Sequence, residues 1–396
     1  HERIAIFADY DVDGATSGAL LHDWLTQLGN IPTLYVPDRI EEGYGPNIEA
    51  METLANVHDL IICVDCGTLS HETINKITNT DMIILDHHLG GETLPNAYAV
   101  VNPNRQDEKG DLYYLCAAGV VFLTLVAANS IRRNNNKSTP DLLNMLDLVA
   151  LGTVADVAPL VGFNRALVRQ GLKVMAKRER IGITALSDIA KMNNAPSPYH
   201  LGYLLGPRIN AGGRVGKADL GIRLLTCKNF DEANSIADKL NQLNDERRSI
   251  EATVQIQALE QVEKMDSNSA LAWAAGEGWH PGVVGIVASR IKEITNKPTV
   301  VIGLDEHEGK GSGRSISGID LGSSIATLQR ENLIIRGGGH KMAAGLSLER
   351  EKLEIAMSRL NELLANQGSK SFQTRELQLD GALSLPAITI ELLEQL

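Results

Sequence analysis

Asp9, Asp11 and Asp13 stand at alternate positions after the apolar run Ile4-Ala-Ile-Phe-Ala8 and before Gly14. Carboxylates crowded this closely repel one another unless protons or a cation compensate. The pattern recurs. Asp59-Leu-Ile-Ile-Cys-Val-Asp65 is a second apolar run closed by an acid, and Asp81-Met-Ile-Ile-Leu-Asp86 is a third, continuing into His87-His88. A further acid, Asp156, follows the apolar stretch Leu146 to Val154. If these runs are parallel strand neighbours, their acidic ends and His87 converge at one sheet edge, where open α/β sheets bind ligands. Hard carboxylates with one or two imidazoles suit Mn2+ or Mg2+ better than a structural zinc. Two such ions about 3.5–4 Å apart are the usual arrangement for in-line displacement at phosphorus. For the first stretch alone a solvated acidic turn is an equal alternative; the recurrence favours metal.

The elements that must position these residues follow from periodicity. Apolar runs at 3–8, 32–36, 59–64, 82–85 and 98–101 alternate with helical patterns near 15–29, 47–57 and 70–79. That alternation predicts βαβ units and a mainly parallel sheet. Leu115 to Ile131, Leu142 to Leu151, Phe163 to Ala176 and Ile183 to Met192 read as helices. The segment GPRINAGGR, within 201–215, reads as backbone bent around an anion, or as a glycine-rich turn with surface arginines. Asp231 to Met265 lacks Gly and Pro and has heptad-like apolar spacing, which predicts one long helix of roughly 50 Å. A second α/β unit follows, with strands at 271–275 and 298–302 and a helix over 283–293. Ser312-Gly-Arg-Ser315 and Gly337-Gly-Gly-His340 read as flexible, turn-like backbone, and Leu353 to Leu364 as an amphipathic helix.

Composition sets bounds. The 396 residues suggest two to three domains, and 43% hydrophobic with 22% charged residues is ordinary for a soluble enzyme. A net charge of −12 argues against a general nucleic-acid coat while leaving room for a local basic channel. Cys63, Cys66, Cys116 and Cys227 suggest reduced thiols rather than a disulfide framework. No GxxxxGK[ST] phosphate loop occurs, which disfavours ATP-driven motor activity, and no apolar run reaches membrane-span length. Aromatics at 4% are thin for extended base stacking. A start at His1 and an end within an apolar helical pattern read as a fragment of a longer protein.

The ordered segments DYDVDG, VDCG, DHH and GTVADV resemble the DHH phosphoesterase superfamily. GPRINAGGR, HPGVVGIVASR, GSGRS and GGGHKMAAG narrow the resemblance to the RecJ family of single-strand-specific 5′→3′ DNA exonucleases, from the first residues to about Leu348. The resemblance implies an α/β protein: a parallel-sheet DHH catalytic domain over 1–230, a connector helix over 231–265, a smaller α/β DHHA1 substrate-binding domain over 266–370, and the start of an oligonucleotide-binding fold over 371–396. It implies two divalent cations, Mn2+ or Mg2+, held by Asp9, Asp11, Asp13, Asp65, His87 and Asp156, with Asp65 bridging. Asp9 is the ligand most open to a supporting role instead, because many DHH enzymes carry a His in this region. Asp65, His87 and His88 would form the catalytic set, His88 orienting the phosphate or supplying a proton and Asp86 orienting His87.

Substrate contacts implied by the same resemblance are Arg208, Asn210, Arg214, Ser289, Arg290, Ser312, Arg314 and His340, with Arg39 and Tyr44 as further candidates. The implied activity is degradation of single-stranded DNA to 5′-mononucleotides in DNA repair and recombination. The protein would be a cytoplasmic monomer away from membranes, with a single-strand-binding protein and a RecQ-type helicase as partners. A DHH phosphodiesterase for small phosphates, and a non-catalytic DHH-fold binding module, are the alternatives.

Overall fold

The computed structural model describes residues 2–39, 42–368, 379 and 381–395. Strands β1 (Ile4–Ala8), β2 (Thr33–Tyr35), β3 (Leu60–Val64), β4 (Asp81–Leu85) and β5 (Ala99–Val101) form a wholly parallel sheet in the order β2-β1-β3-β4-β5. Helices α1 (Val12–Gln27), α2 (Ile48–Ala55) and α3 (His71–Lys76) lie between these strands in the chain. Alternation of side chains covers both faces. Ile6, Ala8, Ile62 and Val64 join the core that includes α1, while Ala5, Phe7, Ile61 and Cys63 pack with Met51, Leu54 and Ile74 of α2 and α3. Burial on both faces is why these runs are apolar throughout.

The chain runs from β1 outward to β2 and then returns to β3 on the other side of β1. That reversal opens a crevice at the carboxyl ends of β1 and β3, the usual ligand position in such sheets.

A helical layer follows: α4 (Ala117–Asn134), α5 (Leu146–Ala155), α6 (Gly162–Met175), α7 (Ile181–Ile189), α8 (Gly206–Val215) and α9 (Leu220–Thr226). The run before Asp156 is helical, as the pattern over Leu142 to Leu151 predicts, and is no strand neighbour of the sheet: α5 packs against α1, α4 and α6, with every residue from Leu146 to Thr153 buried, so it is apolar on all sides. One expectation changes here. GPRINAGGR is neither a turn nor a bent loop. It forms α8, with Pro207 in the first turn, preceded by a π-helical turn at His200–Leu205. Its glycines serve close approach, since a Cβ on Gly213 would lie 2.8 Å from the Tyr10 carbonyl oxygen.

The predicted long helix is present as α10 (Phe230–Val262). Residues up to Val254, with His280–Val283, pack as one unit; Gln255–Trp279 and the residues from Val284 onward pack as another. In the second unit β6 (Ala272–Glu277), β7 (Thr299–Leu304), β8 (Glu308–Arg314), β9 (Arg336–His340) and β10 (Ala343–Glu349) form a mixed sheet in the order β6-β7-β8-β10-β9. Only β6 and β7 are parallel. Helices α11 (Pro281–Thr295), α12 (Leu321–Arg330) and α13 (Leu353–Gln367) complete the regular elements up to Gln367.

Ser312-Gly-Arg and the Gly337 to His340 segment, read as turn-like, are strand: the first ends β8 and the second lies in β9. Glycine admits close neighbours there: a Cβ on Gly313 would sit 2.7 Å from Leu321 Cδ2 and one on Gly337 2.5 Å from Ile325 Cγ2. Of the segment expected to begin an oligonucleotide-binding fold, 371–378, 380 and 396 lie outside the described residues, and 381–395 carry a 3-10 turn at Leu385–Ala387 and a short helix at Ile390–Gln395.

One buried charge cluster ties the first unit together. The Arg180 guanidinium donates to Asp147 of α5 (2.7 Å), to Asp23 of α1 (2.7 Å) and to the Leu225 carbonyl (3.1 Å). Burial alone would raise the Asp23 carboxyl, but the neighbouring His22 ring, the Arg180 guanidinium that hydrogen-bonds it and the Lys228 cation hold it well below the usual carboxylate range. Arg180→Met should cost about 3–5 kcal/mol, because it strands buried carboxylates. The measurement is the urea midpoint at pH 7. The depressed Asp23 stabilises the fold above the unfolded carboxyl value near about pH 4, a contribution lost as pH falls further. The acid-side loss of stability should therefore be shallower in Arg180→Met than in wild type.

Candidate metal centre

The parallel register continues one residue past each strand. The Asp9 N–H donates to the Val64 carbonyl (3.4 Å), that of Asp65 to Leu85 (2.9 Å) and that of Asp86 to Val101 (3.1 Å). The sheet itself therefore sets these acids in a row at the crevice. Asp65 has a left-handed backbone (φ +62°), uncommon outside glycine and typical of constrained functional positions.

Asp11 caps α1, its Oδ1 accepting the N–H groups of Asp13 (2.8 Å) and Gly14 (3.0 Å). Asp13 is buried and accepts the Ala117 and Ala118 N–H groups (2.6 and 3.0 Å) at the start of α4, where a helix N-terminus favours an anion. Helix α5 presses close on it: a Cβ on Gly152 would lie 2.8 Å from Asp13 Oδ1. Asp156, expected at a strand end, is the C-terminal cap of α5.

His87 stands among these acids. Its Nε2 is 3.3 Å from Asp65 Oδ1 and 3.9 Å from Asp13 Oδ2, and its Nδ1 is 3.8 Å from Asp156 Oδ2. Ligand atoms of Asp9, Asp11 and Asp65 lie within 4.8 Å of one another, as do those of Asp13, His87 and Asp156, and those of Asp65, His87 and His88. Asp65 and His87 each belong to two of these sets.

The electrostatics test whether cations fit. Burial pushes the Asp9 and Asp65 carboxyls well above their ordinary range, and neighbouring acids push them further. Asp13 is also raised, mainly by burial, and Asp156 rises to about 8 through burial and the charges of Asp13 and Asp11. Among the described residues Asp9 Oδ1 and Asp65 Oδ1 are buried without a hydrogen-bond partner, His87 Nε2 standing 3.3 Å from Asp65 Oδ1 without forming one. Unpartnered buried carboxylate oxygens facing one imidazole are the donor set a hard divalent cation takes.

Asp86 does not orient the His87 ring as expected. Its Oδ1 accepts the His87 and His88 N–H groups and takes a hydrogen bond from the His88 ring at Nδ1 (2.8 Å), while Oδ2 accepts the Thr68 N–H (3.0 Å). Burial opposes the His88 cation, but the Asp86 hydrogen bond and charge outweigh it and raise the ring to about 9. The Tyr44 hydroxyl lies 3.2 Å from His88 Nδ1 and donates to the Asp65 carbonyl. Sequence reasoning missed two asparagines. The Asn102 amide donates to Thr68 Oγ1 (2.9 Å) and the His88 carbonyl (2.8 Å), and that of Asn104 donates to the His87 carbonyl (2.6 Å). Their position just after β5 was the available signal, the same strand-end rule that found the acids.

The expected substrate residues divide. Asn210 sits beside the acids, but its Oδ1 accepts the Val12 N–H (3.2 Å) and so supports the acidic turn. Arg214 is half-buried, donates to the Gly282 carbonyl (3.0 Å), and is lowered to about 10 by loss of solvent and by the charges of Arg39 and Arg247. Arg39 lies over the Tyr10 ring, 5.3 Å from its centroid. Arg208 donates to Asn241 and to the Leu204 carbonyl. In the second unit Arg314 donates to Ser312 Oγ (2.9 Å) on β8, Ser289 donates to the Gly285 carbonyl within α11, and Arg290 is exposed beside Glu293. His340, at the end of β9, accepts the Met342 N–H.

Replacing one buried carboxylate separates charge from shape. Asp65→Asn should leave the metal-free melting temperature equal to wild type or higher, since it removes a costly buried charge. Added MnCl2 should raise the wild-type melting temperature and leave that of Asp65→Asn unchanged, because a ligand stabilises only the state that binds it. Thermal melts with and without Mn2+ read both effects.

Residues 3–153 match the DHH family, N-terminal domain, and residues 266–366 match the DHHA1 domain. The chain is similar to the single-stranded-DNA-specific exonuclease RecJ of Escherichia coli strain K12, at 39% identity over 415 residues, covering 100% of this chain and 72% of that protein. A crystal structure of exonuclease RecJ bound to manganese superposes with a TM-score of 0.79 at 33% identity, over 92% of this chain and 90% of that one. RecJ from Thermus thermophilus in complex with Mg2+ gives 0.70 at 29% identity, over 92% and 50%. With such identity along its whole length, this chain belongs to the RecJ family of single-stranded-DNA-specific exonucleases.

Proposed function

We propose that the acidic crevice holds two divalent cations, Mn2+ or Mg2+, and that the protein hydrolyses single-stranded DNA from its 5′ end to 5′-mononucleotides. The observation that carries this is the pair of unpartnered, buried carboxylate oxygens on Asp9 and Asp65, set by the parallel register beside His87. Asp65 would bridge, with Asp9 and Asp11 on one side and Asp13, His87 and Asp156 on the other, in keeping with the sets they form. When bound, the cations supply a water nucleophile at neutral pH and offset the charge that builds on the phosphate oxygens.

The remaining work falls to the chain's own residues. His88, held by Asp86, presents a ring that, when protonated, can hydrogen-bond a phosphate oxygen or deliver a proton to the leaving oxygen. Arg39 and Arg214 keep positive charge beside the acids, suited to incoming phosphates. We assign residues 1–230 as the catalytic domain, 231–265 as the connector and 266–370 as the substrate-binding domain. In the latter, Ser312 and Arg314 are the receptor for the terminal phosphate, with His340 assisting.

Incubation with Mn2+ and oligonucleotides labelled at either end tests the activity and its polarity. Label should leave a 5′-labelled strand first; prior release from the 3′ end overturns the polarity. Faster hydrolysis of dinucleotides than of long strands would favour the small-phosphate alternative.

Arg314→Ala should slow degradation of 5′-phosphorylated strands by roughly ten- to a hundred-fold, the loss of one charge-assisted contact of about 1.5–3 kcal/mol, while 5′-hydroxyl strands change little. The comparison is kcat/KM on both ends at one salt concentration. Equal slowing of both substrates removes Arg314 from end recognition.

A further inference from the structure

Tyr199 and Tyr203 form a surface aromatic pair that neither the core nor the acidic centre uses. Their rings stack with centroids 5.2 Å apart and planes at 24°, and the residues remain 61% and 71% exposed. Among the described residues neither hydroxyl has a hydrogen-bond partner. Two tyrosines set face to face in water, in a chain with only 4% aromatics, are not explained by packing.

The element that carries them is unusual. His200–Leu205 is a π-helical turn, a rare geometry that is frequent at functional sites. Leu201 and Leu205 are fully buried and anchor it, so the extra residue in the turn changes which side chains face outward.

Its location links it to the metal centre. A Cβ on Gly202 would lie 3.5 Å from Val154 Cγ1, and one on Gly206 would lie 3.3 Å from Ala155 Cβ. The turn therefore rests on the last residues of α5, whose cap is Asp156. Beside it the Arg208 guanidinium is fixed by the Leu204 carbonyl (2.8 Å) and Asn241 (3.0 Å). A stacked aromatic pair, a fixed cation and a neighbouring phosphodiester-cleaving centre together match the way single strands are held without sequence preference.

Resting on the function proposed above, we infer that Tyr199 and Tyr203 form a stacking platform for a nucleobase of the single-stranded substrate, near the nucleotides whose phosphates meet the metal centre. Tyr203, the more exposed ring, offers the face to the base, and Tyr199 backs it. Stacking is tolerant of base identity, which suits an enzyme that must process every sequence.

The test places a single abasic site at successive positions from the 5′ end of an oligonucleotide and measures kcat/KM with wild type and Tyr203→Ala. In wild type the abasic site should cost about five- to a hundred-fold at one position. Tyr203→Ala should lose the same factor on the intact strand, show no further loss with the abasic strand, and act through KM with kcat unchanged. Tyr203→Phe should restore wild-type behaviour. A positional penalty that persists undiminished in Tyr203→Ala overturns the platform while leaving the exonuclease assignment standing.

A binding measurement makes the inference independent of hydrolysis. The fluorescence of Tyr203→Trp should be quenched by oligo(dT) and not by an all-abasic strand of equal length. Equal quenching by both, or by neither, overturns it.

Discussion

Carboxylates that are buried together must be neutralised, and much of the first unit is arranged around that constraint. Asp9, Asp13 and Asp65 are almost wholly removed from water, and each is raised by its own burial before its neighbours add to the shift. A protein can spread such charge, protonate it or bind a cation. Here part of it is spread: Asp13 is held by the first N–H groups of α4, and Asp11 by those of α1. Asp9 and Asp65 keep buried oxygens without a hydrogen-bond partner among the described residues, the kind of group whose burial a divalent ion would offset.

The scaffold supplies rigidity where that charge requires it. Hydrogen bonds that run one residue beyond β1, β3 and β4 fix the backbone at Asp9, Asp65 and Asp86, so the acids are positioned by the sheet rather than by loops. Asn102 and Asn104 hold the carbonyls of His88 and His87 from the end of β5. The helical layer completes the site from outside the sheet, α5 bringing Asp156 and α8 bringing Asn210 to the acidic turn. Positive charge is kept close: the half-buried Arg214 stands near Arg39 and Arg247 although that proximity lowers its affinity for a proton. Opposed fields of this kind suit a substrate whose phosphates must approach an acidic centre.

The sheet and its acids were legible in the sequence because period, chemistry and position agreed. Apolar runs ending in acids at Asp9, Asp65 and Asp86 could only be buried strands emerging at one edge once βαβ alternation made them parallel, and all five strands of that sheet lie where the runs predicted. The long helix α10 was equally plain from a stretch without Gly or Pro. The charged cluster at Arg180 was not, since its partners Asp23 and Asp147 are far apart in the chain and meet only in the packed helical layer.

What the sequence determined by itself was therefore the set of candidate ligands, the parallel sheet that aligns them and the family to which the chain belongs. Tertiary structure decided the rest through packing. Asp156 arrives on a helix because α5 is enclosed by three other helices, and enclosure makes a helix as apolar as a buried strand. GPRINAGGR is a helix and the glycine-rich segments of the second unit are strands, with Gly213 admitting the Tyr10 backbone and Gly313 and Gly337 admitting the Leu321 and Ile325 side chains. Glycine signals a turn only while local freedom is its purpose. Where a neighbour distant in sequence needs the space of a Cβ, the reason for the glycine lies in contacts that no local window contains.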